Sequence, residues 1–306
     1  MVSQYKEPKS LVLHDMHYAE LSSVSGLTKL DEKFMLFLQK NDAGVAGSLQ
    51  QYRHHSELNK AQESELLINI AKHIEAFIAE LFVIESDVKL LREQSLALDP
   101  IITFKKLIIL KECKKYQRNI ADFPSFEYLQ NWLEQELQHM PGYKADMELA
   151  VAKLTLEYFV DREKCADKIS NITMWACYCL HDESAKSIVS NWISFKVPQK
   201  VVADELIQTL TNNNIKYIPE SEINPRDGFD LTDKGMGARE VKSELNHCIY
   251  CHDKGGDFCS TGFYNKKNKP EMGYKTNAHE NKLLGCPLEQ KISEMNVLKQ
   301  EGLAIA

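Results

Sequence analysis

Residues 67–91 read LINIAKHIEAFIAELFVIESDVKLL, and the spacing of their apolar side chains sets the fold class. Leu67, Ile70, Ile74, Phe77, Leu81, Ile84, Val88 and Leu91 advance in alternating steps of three and four, which lines one stripe of a long helix. The seam covers only a few heptads and suits a helix within a bundle rather than a dimeric coiled coil. Asp99-Pro100 interrupts it, because the residue before proline is pushed out of helical geometry.

Working outward, helical patterns follow at about Ile101–Ile120 and from Ser125 through Tyr128, Leu129, Trp132, Leu133 and Leu137 to Pro141-Gly142. Further stretches run over Met147–Val160, Ile169–Leu180, Ser184–Phe195 and Val201–Leu210, with no convincing strand ladder among them. The expectation is a mainly α protein. Between Asn212 and Gly237 the composition changes to Asn-Asn-Asn, Pro219, Asn224-Pro225, Asp227-Gly228 and Gly235, the residues of turns and linkers. A boundary placed there divides the chain into a helical domain, 1–222, and a second part, 223–306.

The chain has 306 residues, 43% apolar and 26% charged, which suits a globular protein. Its net charge of −7 argues against a general nucleic-acid or membrane-surface role, since counterion release needs a positive field. The N-terminus lacks the basic start and apolar run of a secretory signal, and no apolar run is long enough to span a bilayer. A cytoplasmic location is expected. In that reducing compartment, clustered cysteines read as metal ligands and scattered ones as small hydrophobes.

Four of the eight cysteines fall near the C-terminus: Cys248, Cys251, Cys259 and Cys286. Met236–His247 reads as a helix delivering Cys248 into a loop, and Gly255-Gly256 lets the backbone curl so that Cys259 can return beside Cys248 and Cys251. Thiolates at this spacing suit iron–sulfur iron or zinc. Cys286-Pro287 reads as the first turn of an amphipathic helix bearing Leu288, Ile292, Met295, Leu298 and Leu303, where the helix dipole would favour a thiolate. His247 and His252 flank the loop as possible zinc ligands or cluster-tuning donors. Cys177 and Cys179, among Met174, Trp175 and Tyr178, read as core; Cys113 and Cys165 stand isolated, His54-His55 lacks a third local ligand, and Lys266, Lys267 and Lys269 read as a solvated loop. No nucleophile–base pairing stands out, so no catalytic residue is assigned.

Gly285-Cys286-Pro287-Leu288 with Ile292, Glu294, Asn296 and Leu298, and Arg226–Asp233 followed by Cys248, Cys251-His252, Asp257 and Cys259-Ser260, resemble a known family. It comprises large FAD-dependent pyridine nucleotide-disulfide oxidoreductases related to the glutamate synthase small chain, although Ser293 stands where that chain has proline. The resemblance implies an α-helical ferredoxin-like module carrying [4Fe–4S] clusters, with Cys248, Cys251 and Cys259 matching ligands of one cluster and Cys286 a ligand of the other. It further implies an electron-transfer role and a partner, either a downstream flavin- and nicotinamide-binding segment or a separate subunit. Gly235-Met236-Gly237 lacks the third glycine of a dinucleotide fingerprint, so no FAD or NAD(P) site is expected within this chain. On this reading the chain is a fragment ending in an incomplete module, with the apolar face of 288–303 awaiting downstream helices. A structural zinc or interaction module built on the same four cysteines is the alternative, and a decayed fragment without activity a further one.

Overall fold

The computed structural model describes residues 10–11, 16–54, 57–116, 120–197, 202, 209–219, 228, 235–266 and 269–306. A short hairpin, β1 (Ser10–Leu11) and β2 (Met16–His17), precedes α1 (Val24–Asn41), α2 (Ala43–Arg53), α3 (Lys60–Phe82) and α4 (Glu85–Leu96). Then come α5 (Asp99–Phe104), α6 (Phe126–Leu137), α7 (Met147–Val160), α8 (Ala166–His181), the single turn α9 (Glu183–Lys186), the hairpin β3 (Leu210–Asn212) and β4 (Ile215–Tyr217), and α10 (Ala238–Leu245). The chain closes with α11 (Phe258–Thr261) and α12 (Ile292–Gln300). The fold is mainly α, and no described helix is long and apolar enough to cross a membrane. Two compact units form: residues 1–97 with 244–306, and residues 98–243.

In the first unit, Asn59 and Gln62 close a capping box that starts α3, satisfying one of the amides a helix start leaves unbonded. Leu66, Ile70, Phe77 and Leu81 of α3 then bury against Phe34 and Leu38 of α1 and Ala46 and Leu49 of α2. The stripe expected to run unbroken through Leu91 stops at Val83, which adopts φ 58° while Ile84 donates its N–H back to the Ala79 carbonyl. That closure turns the chain into α4, where Leu90 and Leu91 stay exposed and no residue is buried. The repeat continues in the sequence, but the core does not follow it.

The second unit buries one apolar cluster built by α5 through α9. Leu129, Leu133 and Leu137 form the inner face of α6, which Ser125 caps by accepting the Tyr128 N–H. The helical pattern expected over 101–120 becomes three geometries in succession: α5, a π-helical stretch over Lys105–Glu112, and a 3-10 turn over Cys113–Tyr116. Pro100 sits in the first turn of α5, where its missing N–H costs nothing. Two lysines are buried with partners: Lys105 donates to the Lys196 carbonyl at 2.6 Å, and Lys242 of α10 meets Asp99 at 2.8 Å. Asp146, the N-cap of α7, accepts the Leu149 N–H and pairs with Arg239, whose Nη1 also reaches buried Glu148 at 3.0 Å.

The helix expected at Val201–Leu210 lies largely outside the described residues, and Leu210 itself opens β3. Asn213 and Asn214 turn β3 into β4 with φ of 49° and 63°, the left-handed pair that a two-residue hairpin loop requires. The linker expected near 223–231 also falls mostly outside the described residues. Compactness groups 244–306 with the first helices, a different division from 1–222 and 223–306.

Two outcomes follow for the second unit. Leu133→Ala empties a fully buried site and is expected to cost about 2–5 kcal/mol in urea unfolding. Burial alone would raise the Asp146 carboxyl, but hydrogen bonds and charge from Arg239 hold it below its ordinary value of 3.8. A depressed folded pKa stabilises above the unfolded value and is lost as pH falls through the folded one. The urea midpoint is therefore expected to drop below about pH 4, and Asp146→Asn, which keeps a capping oxygen, to shrink that drop. An identical acid profile in the variant would remove Asp146 from the account.

Candidate metal centre

The end of α10 hands the chain to the cysteines. Cys248 donates its N–H to the Leu245 carbonyl, and two residues later Tyr250 takes a left-handed conformation, φ 46° and ψ 52°. In this conformation the Tyr250 N–H points back to Cys248 Sγ at 3.4 Å, while Cys251 opens a 3-10 turn over Cys251–Lys254. Gly255 reverses the chain at φ 64°, and Gly256 returns its N–H to the Cys251 carbonyl at 2.9 Å. A Cβ at Gly256 would stand 3.0 Å from that carbonyl oxygen and 3.1 Å from Cys251 Cβ, so the tight turn after Cys251 leaves no room for a side chain there.

Cys259 rides on α11, and Cys286 is brought beside it by backbone contacts. The Cys286 N–H donates to the Cys259 carbonyl at 2.7 Å, and Phe263 N–H to the Leu283 carbonyl at 3.0 Å. The two segments meet so closely that a Cβ on Gly285 would lie 1.9 Å from the Ser260 carbonyl oxygen. Cys286 is not at a helix N-terminus as the sequence suggested. It opens a turn in which Glu289 returns its N–H to the Cys286 carbonyl, Glu289 itself has φ 52°, and α12 begins only at Ile292. Proline serves a turn's second position as readily as a helix's first. The expected apolar face divides accordingly: Leu298 and Leu303 are buried, whereas Leu288 and Met295 are exposed.

Electrostatics couples three of the four thiols. Burial pushes the Cys259 thiol up, and Cys251, Cys248, Asp257 and Glu294 push it further the same way. Cys251 is buried, Cys248 and Cys286 half-buried and Cys259 exposed. Asp257 is held below the ordinary carboxylate value: burial opposes this, but Lys291, at 2.7 Å, and Ser260 outweigh it. Among the described residues, no three His, Cys, Asp or Glu side chains already stand as a group able to hold a metal ion.

Two residues of the neighbourhood, Ser293 and Glu294, entered the sequence reading only through the family resemblance, and their burial beside the cysteines was not foreseen. Ser293 is buried, with Oγ 2.6 Å from His252 Nδ1 and 3.8 Å from Cys248 Sγ, so it connects the flanking histidine to the first cysteine. Glu294 is buried, accepts the Ser64 hydroxyl at 2.5 Å on one oxygen, and leaves the other without a partner. Their apolar neighbour Ile292 marked a helix, but nothing local marked its inward face as polar. His247 pairs with Glu244 at 3.2 Å, and His54 ends α2. Cys177 and Cys179 are buried in the second unit's core, as expected. Cys113 joins them there, facing Cys177 and reaching the Thr173 carbonyl at 3.7 Å.

The model of a family described as the RP005 N-terminal alpha-helical domain matches residues 12–83. The chain is 28% identical over 296 residues to the uncharacterized protein RP005 of Rickettsia prowazekii (strain Madrid E), an alignment covering 92% of this chain and 95% of that protein. No solved structure matches. These findings overturn the resemblance to FAD-dependent oxidoreductases related to the glutamate synthase small chain: the similarity runs along nearly the whole chain, helical N-terminal part included, and leads to a different protein. Short cysteine, glycine and proline motifs recur in tight turns of many folds, so such a resemblance does not require a shared family. The expected flavin- and nicotinamide-binding partner rested on that resemblance and has no other support. What the chain is similar to is RP005, through a helical N-terminal domain and an alignment over 92% of the chain.

Proposed function

We propose that the C-terminal segment is a structural metal-binding module in which Cys248, Cys251, Cys259 and Cys286 provide four thiolates to one zinc ion. The observation that carries this reading is the Tyr250 N–H directed at Cys248 Sγ from a left-handed residue, which presets the Cys248–Cys251 turn for two sulfurs on one metal. The charge pattern supports it, since crowded thiols with Asp257 and Glu294 nearby disfavour a thiolate at Cys259 until a cation neutralises them. Zinc needs only a closed tetrahedral set of sulfur ligands and no redox partner. A [4Fe–4S] cluster takes the same four thiolates and is the alternative that the metal analysis separates.

The segment between Gly262 and Lys291 contains little regular structure: a 3-10 turn at Pro270–Met272 and isolated bridges at Tyr264–Tyr274 and Thr276–Lys282. A stretch that buries few apolar groups gains its fixed shape from a cross-link, and a metal supplies one in a reducing compartment where disulfides do not persist. All eight cysteines are free thiols. The proposal accordingly places the protein in the cytoplasm.

Elemental analysis of anaerobically purified protein is expected to give about one zinc per chain, with a lower melting temperature after chelation. Serine at Cys248, Cys251 or Cys259 is expected to remove most of the metal. Cys177→Ser and Cys179→Ser should keep it and lose only stability, because each places a hydroxyl in an apolar core. Brown protein with iron and labile sulfide would replace zinc with the cluster. Metal-free protein, or equal metal loss from both sets of variants, would sink the centre altogether.

A further inference from the structure

A cavity of about 810 Å3 lies beside the glycine turn, between the start of α3 and the loop that follows Phe258. Lys60 and Ala61, the first residues of α3, line one side; Lys254 and Lys275 line others. Among the described residues, the ammonium groups of these three lysines make no ion pair or side-chain hydrogen bond, although the Lys275 backbone bonds to Phe263 and Leu283. Asp257 is the one acid among the described lining residues, and its carboxylate is already bound to Lys291 at 2.7 Å. The concavity therefore gathers three exposed ammonium groups against one carboxylate already paired, on a chain whose net charge is −7.

Three ammonium groups around one hollow repel one another and gain nothing from their grouping unless an anion joins them. The backbone adds to the same field. Asn59 accepts the Gln62 N–H through its side chain and the Glu63 N–H through its carbonyl, so the amides of Lys60 and Ala61 keep no partner in the preceding turn. The cavity also has an aromatic wall: Phe258 and Phe263 stack with centroids 5.0 Å apart and planes at 17°, and Phe263 is 41% exposed. An exposed ring face at the end of a stack accepts another planar ring.

We propose that this cavity binds a nucleoside polyphosphate, with its phosphates among Lys60, Lys254, Lys275 and the first amides of α3 and its base against Phe263. The volume falls within the range that holds ligands of this size. None of the four cysteines lines the cavity, although Lys254–Phe258 form the loop between Cys251 and Cys259.

The test is calorimetric titration of the full chain with ATP, inorganic tripolyphosphate and adenosine at two salt concentrations. ATP is expected to bind more tightly than tripolyphosphate, adenosine to bind far more weakly, and ATP affinity to fall as salt rises. Lys254→Ala and Lys275→Ala should each weaken ATP about 10-fold or more, as loss of a charge-assisted contact does. Phe263→Ala should weaken ATP about 5-fold or more and leave tripolyphosphate unchanged. Lys164→Ala, in the second unit, is the control and should change neither. Absence of ATP binding at millimolar concentration, or binding that the lysine variants leave intact, overturns the site. Tripolyphosphate binding as tightly as ATP overturns the nucleoside assignment.

Discussion

The carboxylate of Glu294, buried in α12, accepts the hydroxyl of Ser64 in α3 across 230 positions of sequence, and the cysteine segment takes its place from that contact. A carboxylate removed from water must find donors, so a buried one selects few arrangements of its surroundings. The same helix provides further anchors. Glu75 accepts the N–H groups of Ile305 and Ala306 at 2.7 and 3.1 Å, Lys72 pairs with Glu301, and Glu63 reaches Lys291, which also holds Asp257. With one face α3 closes the apolar core of α1 and α2, and with its polar positions it receives the C-terminal segment. Half-exposed pairs such as Lys72–Glu301 add little, and the buried Ser64–Glu294 contact carries the specificity.

That arrangement explains how a segment rich in glycine, asparagine and lysine acquires a defined shape. Its turns are set by backbone geometry rather than by apolar burial: left-handed Tyr250 and Gly255, the contact of Gly256 on Cys251, and the close approach of Gly285 to Ser260. Each fixes the path of the chain next to a cysteine without an intervening core. The glycine turn also has two faces with different chemistry. One carries Cys251 toward Cys248 and Cys259, while the other lines the lysine-rich cavity against α3.

The correction to the family reading has a physical origin. Cys-x-x-Cys lets two sulfurs face one point, and proline after cysteine favours a turn in many folds. Such motifs report local geometry, which unrelated chains reach independently. Similarity spread across 296 residues, including helices that bear no cysteine motif, reports the whole chain and outweighs them.

Periodicity, capping residues and proline placement in the sequence suffice for the mainly α class, for α7 at Met147–Val160, for the approximate positions of α6 and α8, and for the assignment of Cys177 and Cys179 to a core. The turn at Gly255-Gly256 was legible there as well. Tertiary structure alone decided the rest. Val83 adopts a left-handed conformation that its β-branched side chain disfavours, and the helix therefore ends inside an unbroken stripe. Cys113 meets Cys177 through packing between distant segments, and Cys286 enters a turn because Cys259 offers its carbonyl there. Ser293, Glu294 and the lysines of the cavity have meaning only once α3 lies against the C-terminal segment. Periodicity describes which side of an element is apolar, but a polar contact between residues 64 and 294 depends on how the chain returns upon itself, and no local pattern encodes that.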